Sequence, residues 1–167
     1  MSVSYQLFCA NMGSMGKVIN IEDALKQCKI EVININAKDL LLPEYQDLNK
    51  YFGDKRKWTT KQKNNFIKSL FFGLFVQQLF IYEPKKQESF SIDGYSRTQT
   101  IKKFFNEEFQ FPLDGLSKFN WQYNGKVFSR LNNSLKYHLE HYPIIINKIN
   151  RKTSAYNLKA LYINFNS

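Results

Sequence analysis

Residues 91–101, Ser-Ile-Asp-Gly-Tyr-Ser-Arg-Thr-Gln-Thr-Ile, hold the side chains whose types and spacing best suit chemistry. A buried strand reads as ending in Asp93-Gly94, and a helix as starting within three residues. Gly94 lets a ligand approach the backbone closely. A helix start offers free N–H groups and the positive end of a dipole, a combination suited to phosphate. Arg97 falls in the first turn, where the dipole favours an acid over a cation. An anion held jointly by Arg97 and the helix N–H groups accounts for that placement, with Asp93 holding a metal-bound water or a ribose hydroxyl. A tight turn in which Arg97 pairs with Asp93, or with a distant acid, accounts for it equally well.

A second candidate surface is basic. Lys55, Arg56 and Lys57 adjoin Trp58, and this grouping can track a phosphate backbone with one stacking residue. Lys61, Lys63 and Lys68 extend it along the following helical segment, and a solvated loop and helix face is the plain alternative. Gly13-Ser-Met-Gly16-Lys17 is too short for a phosphate loop and has Val18 where Ser or Thr is needed, so it reads as a turn. His138 and His141 share a helical face but lack a third ligand, and they read as packing or solvated histidines. Asp23, Asp39, Glu44, Glu107 and Glu108 show no spacing that marks a metal nuclease, and no metal site is assigned. The phenylalanines of residues 66–80 read as core.

The chain of 167 residues is long enough to bury a core without disulfides or metal. Fifteen Phe and ten Tyr exclude a disordered basic tail, and seven Gly with four Pro exclude collagen-like and low-complexity classes. The formal charge is +10, from 24 Lys+Arg against 14 Asp+Glu. Lys, Asn, Phe, Ile and Tyr are also the residues that AT-rich coding favours, which is the alternative source of this composition. The field still attracts polyanions, with nucleic acid the usual one. Cys9 and Cys28 form no CxxC pair, which argues against a disulfide framework or zinc and for a reducing compartment, cytoplasmic or nucleoid-associated. The first ten residues have no signal-peptide pattern, and residues 66–82 are too short and too interrupted to span a bilayer, so no membrane partner is expected.

These residues need elements to position them. Residues 1–20 read as a leader, and 21–30 as a short helix. Residues 31–36 alternate as a strand, and Pro43-Glu-Tyr-Gln46 reads as extended. Residues 47–57 read as a loop. Thr59-Thr60 caps a helix whose apolar face comprises Phe66, Ile67, Leu70, Phe71 and Leu74, with Gly73 near its end. Residues 66–82 together read as a buried helix followed by a strand. Strands are predicted over 78–82 and 89–92, with a turn through Pro84 between them, then a helix over 96–106. Loop and short extended pieces follow to 125. A helix over 133–141, a strand over 144–149 and a helix over 153–162 complete the chain. Interleaved strands and helices predict an α/β or α+β fold with a mixed sheet.

Several of these pieces occur together in one known family. PEYQ, Trp58, FIKSLFFGL, LFIYE and IDGYSRTQTI stand in the order found in the ParB-like N-terminal domain of GmrSD-type restriction endonucleases, which the chain resembles. FPLDGLSKFNWQYNGKVFSRL, YPIIINKIN and LYINFNS continue the resemblance from about residue 41 to the end. It implies a ParB/sulfiredoxin-like fold over residues 21–167 and an NTP, with Mg²⁺, as cofactor. It also implies a nucleotide-binding or NTP-hydrolysing role in DNA restriction, with DNA as partner. Asp93, Gly94 and Arg97 match the acid, glycine and last arginine of the family's Asp-Gly-Gln-Gln-Arg motif, with Asp93 and Arg97 as its catalytic pair. Thr100, Tyr45, Gln46 and Asn166 match further nucleotide-binding positions. The chain departs from the family at Tyr95-Ser96, where the motif has Gln-Gln, and at Asp47 and Asn164, where it has arginines. The family's downstream helical region and nuclease domain are not matched. The second expectation is therefore a module that keeps the fold without the chemistry and binds DNA or a protein as adaptor, decoy or structural component.

Overall fold

The computed structural model describes residues 30–46, 48–50, 57–85, 88–111, 123, 125–149 and 153–166. The expected leader, residues 21–29 of the helix expected over 21–30, Cys9, Cys28, Asp23 and the Gly13–Lys17 turn lie outside them.

A mixed sheet and flanking helices form an α/β fold. Strand β1 (Ile30–Asn36) is followed by a 3₁₀ turn (Ala37–Leu41), helix α1 (Pro43–Gln46) and the two-residue strand β2 (Asn49–Lys50). Helix α2 (Thr60–Phe71), strands β3 (Leu79–Lys85) and β4 (Glu88–Asp93) and helix α3 (Tyr95–Phe105) follow. A 3₁₀ turn (Phe128–Arg130), α4 (Asn133–Glu140), β5 (Pro143–Ile149) and α5 (Ala155–Asn166) complete the order. The sheet runs β1-β5-β3-β4-β2. β1 is antiparallel to β5, and β4 is antiparallel to β3. The β3–β5 and β4–β2 pairs are parallel.

Side chains alternate across a strand, so β1, β3 and β5 each feed two cores. Ile33, Ile35, Leu79, Ile81, Ile144 and Ile146 face α2, α3 and α4, where Ile67, Leu70, Ile101, Phe104 and Leu139 meet them. Ile30, Phe80, Tyr82, Ile92 and Ile149 face the opposite way and pack on Leu158 and Leu161 of α5. The sheet is thus covered on both faces. Phe104 sits at the centre of an aromatic group with Phe105, Phe109, Phe111 and Phe128. Among the described residues no helix is long and apolar enough to cross a membrane.

Several elements differ from expectation, each for a local reason. Pro43-Glu-Tyr-Gln46 is a helical turn, because proline's fixed φ suits the first helical position. Residues 49–50 are a strand within the expected loop, and Ile30 opens β1. The expected turn at Pro84 lies inside β3, which runs on to Lys85. α2 ends at Phe71 because Gly73 takes a left-handed φ of 65°. Gly73 N–H donates to Leu70 O and Leu74 N–H to Ser69 O, the paired bonds of a Schellman cap. Leu74 therefore leaves the helical face and is 56% exposed, and Phe75 is 77% exposed. The apolar stretch over 66–82 is a buried helix and a strand separated by an exposed bend. LYINFNS lies largely within α5, which runs past the expected end at 162.

Candidate functional site

The corner between β4 and α3 is built by one glycine. Gly94 takes φ 94° and caps α3 through its carbonyl, which accepts the first intrahelical bond from Thr98 N–H at 2.9 Å. A β-carbon here would lie 2.4 Å from Leu79 Cδ2 and 3.2 Å from Arg97 Nη2. Conformation and space both demand glycine. No side chain caps the helix, and its first turn holds no acid. The positive end of α3 is left to Arg97.

Arg97 forms the ion pair that was one of its two expected arrangements. Its Nη2 lies 2.5 Å from Asp93 Oδ2, with the two side chains 11% and 28% exposed. Nη2 also donates to Gln78 O at 3.1 Å, and Nη1 donates to Gln77 Oε1 at 2.8 Å. Nε is buried and makes no hydrogen bond. Gln78 Oε1 in turn accepts from buried Asn147 Nδ2 at 2.7 Å, and Ser91 Oγ donates to Asp93 O at 3.1 Å. Thr98 Oγ1, one residue on, is likewise buried without a partner. Buried donors usually find partners, so two orphans on one helical turn distinguish this corner.

The other expected residues are placed less centrally. Thr100 is buried in α3 and spends its hydroxyl on Ser96 O at 2.7 Å. Tyr45 is buried in α1, and burial, reinforced by Glu44, pushes its hydroxyl pKa well above the usual tyrosine range. Lys102 Nζ donates to Tyr45 O, tying α1 to α3. Lys102 lies five positions after Arg97, about 7.5 Å along the helix axis. Gln46 ends α1 and Asn166 ends α5. Because α5 and α3 cover opposite faces, the helix carrying Asn166 lies across the sheet from the helix carrying Arg97. Gln77, Gln78, Asn147 and Lys102 carried no signal in the sequence, since nothing local marks a side chain that reaches across the fold.

On the basic surface, Lys55 and Arg56 lie outside the described residues. Lys57 and Lys61 are exposed, and Trp58 is half-buried with its ring edge-on to Phe66 at 5.3 Å. Trp58 is therefore partly a core residue. Two recesses lie elsewhere. One, of about 290 Å³, sits between α2 and the end of α3. The other, of about 320 Å³, is lined by Phe71, Tyr123 and residues of α4 including His138. His138 Nε2 is 3.0 Å from Leu70 O, and His141 stacks on Tyr137 at 3.9 Å. Both histidines have packing roles. Among the described residues no three His, Cys, Asp or Glu side chains group as a metal site. An Mg²⁺ here would be held chiefly by ligand phosphates, with Asp93 as the carboxylate, an arrangement usual for that ion.

No family model, curated protein or solved structure matches the chain.

Proposed function

We propose that the chain is a nucleotide-binding module whose β4–α3 corner receives the phosphates of an NTP in a DNA transaction such as restriction. The observation that carries the reading is Arg97. It is a nearly buried cation at the positive end of a helix, with a free Nε and a glycine beside it. Such a placement opposes the helix dipole; the Asp93 carboxylate offsets part of that cost, and a bound phosphate offsets more of it. Phosphate oxygens are met by the guanidinium and the helix N–H groups, while Asp93 supplies a carboxylate to a phosphate-bound Mg²⁺.

The second reading is a module that keeps the fold and binds DNA or a protein without turnover. It is supported by the three bonds that already occupy both Nη atoms of Arg97. In that case the ion pair is a structural corner.

Binding and phosphate release with ATP, GTP, CTP and UTP, with and without Mg²⁺ and DNA, separate the two. Under the first reading, Arg97→Ala costs about 1.5–3 kcal/mol of nucleotide affinity, the value of a charge-assisted bond. Asp93→Ala removes the Mg²⁺-dependent release. Silence of the wild type with all four nucleotides sinks the first reading and leaves the second.

A further inference from the structure

We propose that the recess between the first turns of α2 and the end of α3 receives an unstacked base of a single-stranded nucleic acid. The site is distinct from the Arg97 corner and does not depend on that reading. Its walls are Thr60, Lys63 and Asn64 from α2, Lys103 near the end of α3, and residues 108–111 after it, Glu108 among them. The volume, about 290 Å³, is at the small end of ligand sites, in keeping with one base rather than a large cofactor.

The lining has the chemistry of a base and its flanking phosphates. Phe109 is half-buried on Phe104 and offers an aromatic wall. Asn64 and Gln110 carry amides that both donate and accept, so they can meet any base edge. Among the described residues the side chains of Thr60, Lys63, Asn64 and Gln110 make no hydrogen bond or ion pair, although all four line one recess. Lys103 pairs with Glu108 at 3.0 Å, both half-exposed, so among the described residues of the lining the Lys63 ammonium is the net charge. Exposed Lys57 and Lys61 continue that charge beyond the recess at the same end of α2. A strand with one base in the recess and its backbone over these lysines satisfies all of these groups. The chain's charge of +10 favours its approach. A duplex keeps its bases stacked and offers the lysines only phosphates.

The test is fluorescence anisotropy with a labelled oligothymidylate about twelve nucleotides long, a duplex of the same length and the free mononucleotide. Three proteins are compared: wild type, Lys63→Ala/Lys103→Ala, and Asn64→Trp, which fills the recess without changing charge. Thermal melting of each confirms that it is folded. The single strand is expected to bind more tightly than the duplex or the mononucleotide. Both variants should weaken it about tenfold, and the lysine pair alone should flatten the salt dependence. The proposal is overturned if the duplex or the free mononucleotide binds as well as the strand. It is also overturned if folded Asn64→Trp binds like wild type, since the strand would then pass over the lysines without entering.

Discussion

Lys102 donates its ammonium to the backbone carbonyl of Tyr45, joining residues 57 apart in the chain. The lysine is only 8% exposed, on the face of α3 turned toward α1. A one-turn helix leaves its last carbonyls without partners, and this bond satisfies one of them. It also sets where α1 lies against the helix that carries Arg97.

Replacing Lys102 with Met keeps the apolar stem and leaves Tyr45 O without this donor. The expected loss is about 1.5–3 kcal/mol of unfolding free energy, because a bond to a charged group is removed inside the fold. Urea denaturation measures it directly. An unchanged midpoint would mean that water replaces the ammonium at no cost.

A second prediction concerns the corner itself. Gly94→Ala introduces a methyl group at φ 94° and at 2.4 Å from Leu79 Cδ2. Two costs add there, the left-handed backbone and the clash. The expected destabilisation is about 1–3 kcal/mol. Leu79→Ala opens space for the new methyl group but leaves the backbone cost untouched. The double variant should therefore be more stable than the sum of the two single changes implies, in a double-mutant cycle read by thermal unfolding. Strict additivity would show that the clash relaxes without Leu79.

Much of this corner was legible in the sequence. The strand expected over 89–92 is β4, Asp-Gly marks its end, and the helix expected over 96–106 is α3, shifted by one residue. Thr59 marks the start of α2, where it accepts from Gln62 N–H in a capping box. The end of α2 was legible in part: Gly73 marks it, but Leu74, expected on the helical face, is turned off that face by the left-handed glycine. The partners of Arg97 across the fold were not legible. Gln77 and Gln78 look like interruptions in an apolar stretch, and they matter because the bend after α2 brings them to the start of α3. Tyr142 holds that bend by donating to Leu74 O at 2.5 Å, across 68 residues. Contacts of this range have no periodicity to betray them.

The last prediction is a pH dependence at the other end of α3. Glu107 follows the helix at φ 62°, an uncommon conformation for a residue with a side chain. Its backbone N–H donates to Phe104 O, and the next N–H, from Glu108, reaches Lys103 O. Its carboxylate accepts from Ser129 N–H at 2.9 Å, fastening the Phe128–Arg130 turn to the end of α3. Hydrogen bonding to Ser129 holds the Glu107 carboxyl below its ordinary value of 4.5. A carboxyl with a lowered folded-state pKa stabilises the protein above its unfolded-state value, and that contribution is lost as pH falls through the folded-state value. Glu107→Gln removes the charge at every pH. Wild type should therefore melt above Glu107→Gln at about pH 6, and the gap should narrow as the pH falls below the ordinary value of 4.5 and through the lower folded-state value. Melting curves of the two proteins across that range measure the gap. A gap that is constant with pH would show that Ser129 gains nothing from the ionised form.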